Sequence, residues 1–167
     1  MAAIVPYEVI GSSAQVTVTY QGQTSSAVTV AVAPSAPGIF TLDSTGKGQA
    51  AVVNQNYSIN GASTPAPIGS IISLYATGEG QTSPPGVDGK PDSTPLPTPN
   101  LPVNVTIGGV TVNNLSYVGG APGEVAGLMQ INVQIPPGVT PGNAVPVVVR
   151  VGSASSQAGV TIAVSAN

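Results

Sequence analysis

The chain has 167 residues, three of them basic and six acidic, with a net charge of −3 and neither histidine nor cysteine. Disulfide, thiolate and imidazole chemistry are excluded, and there is no basic footprint for nucleic acid or an anionic membrane. Charged residues are only 5% of the chain, against roughly 25% in ordinary proteins. Ser, Thr, Asn, Gln and backbone must therefore cover a surface with little charge repulsion to oppose self-association.

The apolar residues are mainly Val, Ile and Ala, punctuated throughout by 21 Gly and 17 Pro. Runs of this kind read as short strands and turns. In chain order, "VTVTY" (residues 16–20) and "VTVAV" (28–32) come first, and "GQAAVV" (48–53) is a weaker candidate. "GSIISLYATG" (69–78) is more continuously apolar, as expected of a central strand covered on both faces. "VNVTI" (103–107) alternates, meets Gly108-Gly109 and resumes at "VTV". That predicts a two-residue hairpin, because primed turns need positive φ. "MQINVQI" puts Met129, Ile131, Val133 and Ile135 on one face and Gln130, Asn132 and Gln134 on the other. This period of two marks a half-buried antiparallel strand. "VPVVVRV" (145–151) and "VTIAV" (160–164) close the series. No segment sustains a helical apolar period, and none is long and apolar enough to span a bilayer. The expected fold is all-β, an antiparallel sandwich with a core of Val, Ile, Leu and Met, to which Tyr20, Tyr75 and Tyr117 add larger pieces.

The opening stretch resembles the closing one. Placing residues 3–32 on 133–164, with one insertion at Ala158-Gly159, makes eleven of thirty positions identical, among them Val18, Gly22, Ser25 and Ser26. The reading is a tandem pair of similar sandwiches, the first represented only by its final strands. Residues 1–33 form a β-ribbon from a partial domain, and residues 34–167 a complete one. Val16, Val18, Val28, Val30 and Val32 give the ribbon an apolar face, and isolated hairpins are marginal in water. With Tyr20, these are the candidate assembly residues, expected to dock on the complete domain or on another copy of the chain. "MAAIVPYEV" lacks the basic region of a signal peptide, so the chain is either cytosolic or cut from a longer one; the repeat favours the second.

"APGIFTLDSTGKGQAAVVNQ" (36–55), "GSIISLYATGEGQTSPPGVDGKP" (69–91), "LPVNVTIGG" (101–109) and "YVGGAPGEVAGLMQINVQIPPGV" (117–139) follow one another in order. The series resembles an uncharacterised C-terminal domain family of large secreted acidobacterial proteins. That resemblance implies an immunoglobulin-like β-sandwich at the end of longer extracellular or cell-surface polypeptides. It brings no catalytic residues to carry over.

Catalytic groups are sparse. A nucleophilic triad needs a base beside Ser or Thr, and the usual bases are missing. The acidic residues Glu79, Asp88, Asp92 and Glu124 fall in Gly/Pro-rich turns, where solvated side chains are expected. Glu79, Asp88 and Asp92 with loop carbonyls are a weak candidate calcium site, since hard cations want several oxygens. A carboxylate pair for glycoside cleavage is a lesser alternative. An isopeptide crosslink through Lys47 or Lys90 requires that lysine to be buried beside a carboxyl group. The expected function is a non-catalytic extracellular structural module, without cofactor, that associates with itself through strand pairing and can build a homo-oligomer or fibre. The alternatives are a passive anchoring or spacer module, or a module binding a cell-surface or matrix polysaccharide through loops 79–90 and 117–124.

Overall fold

Alternating apolar and polar residues build two sheets that close on one core, in a computed structural model that describes residues 3–167. The first two residues of the expected ribbon lie outside the described residues. Among those described there is no helix, as the missing helical period predicts.

The first sheet is centred on the long strand Gly142–Val151, flanked by Val103–Ile107 and Val160–Ser165. Val110–Thr111 extends it on one side, and Ala154–Ser155 folds back onto the central strand. On the other side, Gly48–Gln49 and Ala66–Pro67 pair with Val160–Ser165 in parallel. The sheet is therefore not wholly antiparallel, as the sequence pattern suggests it would be. The second sheet runs Leu115–Gly120, Met129–Gln134, Ile71–Thr77, with Gly38–Ile39 and Val52–Asn54 both pairing on the last of these. Ile72, Leu74, Met129, Ile131 and Val133 of this sheet share one cluster with Val105, Ile107, Val147, Val149 and Ile162 of the other. Each such side chain, fully buried, contributes roughly 1.5–3 kcal/mol. The result is a β-sandwich.

The Gly108-Gly109 turn has φ of 59° and 80°, the left-handed pair that a primed hairpin needs, and joins Ile107 to Val110. Met129–Gln134 buries the predicted face. Two expectations need correction. Ile71–Thr77 is central in its sheet but alternates buried with half-buried residues; only Ile72, Leu74 and Ala76 reach the core, while Ile71, Ser73 and Tyr75 lie on a partly covered outer face. Tyr20 is no core residue, being 73% exposed, and Tyr75 and Tyr117 are half-buried.

Asn60, beside a turn, is 1% exposed and fills a gap at the margin of the first sheet. Its Nδ2 donates to Ala163 O at 2.9 Å, and its Oδ1 accepts from Ala163 N at 2.8 Å. Ala163 lies where the outer edge of Val160–Ser165, away from Gly142–Val151, has only short parallel neighbours, so one amide side chain replaces a missing strand residue.

Candidate functional site

Among the described residues the strands of the ribbon pair only with one another. Ser13–Val16 runs antiparallel to Val28–Ala31, and Thr19–Tyr20 to Gln23–Thr24 around a tip where Gln21 and Gly22 have φ of 48° and 77°. Cross-strand pairing puts Ala14 opposite Val30 and Val16 opposite Val28 on one face, with Gln15 opposite Thr29 on the other. Gln15 Nε2 donates to Thr29 Oγ1 at 2.8 Å, and the Thr19 and Thr24 hydroxyls bond at 2.9 Å. One face is thus polar and self-satisfied. The other is apolar and open: Val16 is 46% exposed, Val18 38%, Val28 60% and Val30 40%. Of the six candidate assembly residues only Val32, near the root, is half-buried. The chain's own sandwich does not cover this face.

The hydrogen bonding also refines the repeat. Val18 N donates to Ser25 Oγ at 3.1 Å, and Ser25 N to Val18 O at 2.9 Å. Val149 and Ser156 make the same reciprocal pair, at 3.1 Å and 2.8 Å. Thr19 pairs Thr24 as Arg150 pairs Ser155, and Ala14 pairs Val30 as Val145 pairs Ile162. The structural partner of Val18 is therefore Val149, one residue on from the Val148 that sequence identity selects. In a strand, one residue decides the face. With this register Val16 and Val18 correspond to Val147 and Val149, which are 1% and 0% exposed. Val28 and Val30 correspond to Val160 and Ile162, 1% and 0% exposed. The ribbon is a second copy of the sandwich's closing hairpin, with its core-facing side chains left in the open. Ala14 belongs to that face as well. Counting identities hid it, whereas the alternation of Ala14, Val16 and Val18 could have shown it.

Both ends of the ribbon are fixed to one corner of the sandwich. On the exit side, Ala36 N donates to Gly78 O at 2.9 Å and Ser35 Oγ to Val151 O at 2.8 Å. Gly78 and Gly80 have φ of 77° and 78°, and a Cβ on either would run into the carbonyl of Ala36 or Pro34. On the entry side, Tyr7 N donates to Asp88 Oδ1 at 3.0 Å, Gln81 Nε2 to Tyr7 O at 2.6 Å, and Tyr7 OH to Glu79 Oε1 at 3.1 Å.

Glu79 is only 2% exposed and Asp92 7%, contrary to the expectation that acidic residues in these turns are solvated. Asp88, Lys90 and Glu124 do face solvent. Among the described residues no hydrogen-bond partner meets the buried Glu79 Oε2 or Asp92 Oδ2. Burial pushes the Glu79 carboxyl up to about 7; the Tyr7 bond opposes the rise and the charge of Asp92 adds to it. Burial raises Asp92 as well. Tyr7 is held protonated well above the ordinary range, by burial first and then by the charge of Glu79. Tyr117, whose hydroxyl donates to Gly120 O at 2.6 Å, is raised by burial and by Asp92 and Glu79. The Asp92 carboxylate lies so close to Gly120 that any side chain there would collide with it. The glycines around "GEG" and in "YVGG" are the sequence signal for this burial.

The three candidate calcium ligands do not converge. Among the described residues no three acidic, histidine or cysteine side chains gather as a metal would need, and Asp88 is occupied by the Tyr7 amide. The loop 117–124 expected to bind polymer meets the chain just past the end of loop 79–90: Asp92 N donates to Glu124 O at 2.7 Å and Gly123 N to Asp92 O at 3.0 Å. The Glu79 and Asp92 carboxyls are nevertheless closed off from solvent. Lys47 and Lys90 are exposed, which removes the burial an isopeptide crosslink requires. The site thus has two parts, an open apolar ribbon and a proton-binding corner that holds its root. No protein-family model, curated protein or solved structure matches this chain.

Proposed function

We propose that the chain is a non-catalytic, extracellular structural module that associates through its N-terminal ribbon by β-strand pairing and can extend into a fibre. One observation carries this reading: side chains that the closing hairpin buries completely are, at matching positions of the ribbon, 38–60% exposed. A two-stranded ribbon with such a face is marginal on its own. Both of its outer edges present unpaired backbone, a template for another strand. The low charge supports the same reading, because no charged residue lies between Glu8 and Asp43 to repel an approaching copy. Secretion and a C-terminal place in larger proteins rest on the family resemblance of the sequence. Light scattering and electron microscopy of the purified chain test the proposal. Mass that grows with concentration, or visible filaments, is the expected result; a compact monomer at every concentration overturns it.

A further inference from the structure

The closing hairpin shows what the ribbon's apolar face is shaped to meet. In the sandwich, Val147 to Val151 pair edge-on with Val103–Ile107, while their core faces share a cluster with Ile72, Leu74, Met129 and Ile131 of the opposite sheet. The ribbon matches that hairpin in the reciprocal Val–Ser bonds and in register, while the tips differ: Gln21 and Gly22 both have positive φ, but at the closing hairpin's tip only Gly152 does. We propose that the ribbon is a strand donor whose occupant is an incomplete β-sandwich of this same kind, one with an open strand like Val103–Ile107 and no closing hairpin of its own. This goes beyond the self-association reading, which concerns complete copies of the chain, and can hold without it.

The seat-by-seat comparison says why the acceptor must be incomplete. Val16, Val18, Val28 and Val32 offer the same side chains as Val147, Val149, Val160 and Val164. Ala14 stands for Val145, Val30 for Ile162 and Tyr20 for Val151. The first two leave voids and the third overfills its place, so the ribbon fits the seat but loses to the resident hairpin. A folded copy therefore keeps its own hairpin. Complete copies can meet only along the ribbon's open backbone edges, whereas the seat itself is offered by a sandwich that lacks its closing hairpin.

The donor and the first acceptor are both the 167-residue chain. A tagged acceptor carries Val147→Asp and Val149→Asp, which expel its closing hairpin, and Val16→Asp and Val28→Asp, which disable its own ribbon. It is co-expressed with an untagged donor, either the wild-type chain or Val16→Asp/Val28→Asp. The expected result is a soluble one-to-one complex with the wild-type donor, and capture reduced by at least about tenfold with the ribbon variant, the factor given by 1.4 kcal/mol. Equal capture of both donors, or of neither, overturns the proposal. Should the acceptor fold alone, an acceptor ending at Pro141 replaces it in the same two arms. A wild-type chain that stays monomeric yet rescues the acceptor refutes self-assembly and leaves strand donation standing; a wild-type chain that polymerises but rescues nothing does the reverse.

Discussion

Substituting Glu79 by Gln isolates the proton held at the ribbon's root. Glu79 titrates at about 7 in the folded chain against 4.5 ordinarily. The folded state thus holds this proton more tightly than the unfolded state does. The stabilisation is fully present below pH 4.5 and is lost as the pH rises to about 7. At about 1.4 kcal/mol per pH unit, the difference amounts to about 3 kcal/mol. Asp92 is raised too and acts with the same sign. Asp43 is lowered, chiefly by the Thr45 backbone amide, so it acts below 3.8, outside this window. The amide of Glu79→Gln retains an acceptor for Tyr7 OH, with no charge to bury. Urea denaturation between pH 4.5 and 8 reads the outcome. The wild type loses stability across the window, whereas the variant loses much less and is the more stable above pH 7.5 by about 2–3 kcal/mol. A wild-type curve that is flat or rises over this range, or a variant running parallel to it, would refute the reasoning.

Equivalent positions in the two hairpins give a second comparison: Val149→Ala costs about 2 kcal/mol by opening a cavity, whereas Val18→Ala in the dilute monomer stays within about 0.5 kcal/mol, both read from urea midpoints. Asn60→Ala leaves the Ala163 N–H and carbonyl without their partner and costs about 3 kcal/mol by the same assay. Gly78→Ala both strains a φ of 77° and collides with the Ala36 carbonyl. It should lower the thermal midpoint by more than about 5 °C and release the ribbon's root, seen as faster amide exchange at Ala36.

Much of the architecture is legible where the period is strict. Met129–Gln134 and the Gly108-Gly109 hairpin follow directly from alternation and from the φ that only glycine adopts easily. Ile71–Thr77 misleads because Ile71 and Tyr75 are apolar residues placed on the outer face of the sheet; composition does not say which face a side chain takes. Parallel pairing of Gly48–Gln49 and Ala66–Pro67 rests on strands of two residues each, too short to show any period. Asp92 is buried against Gly120, and Glu79 meets Tyr7, both distant in sequence, so a turn-like context alone points to solvent. The ribbon is half legible. Its apolar face and its kinship with the closing hairpin are in the sequence, but the true register emerges only from the Val–Ser bonds, which identity matching misses by one residue.

Amide hydrogen exchange across the chain as its concentration is raised tests the central claim most directly. If the ribbon's valines seek a partner sheet, the amides of residues 13–31 exchange rapidly in dilute solution and become protected as chains associate, while those of 103–107 stay protected throughout. Ribbon amides that exchange freely at every concentration, or that are fully protected in the dilute monomer, would contradict it.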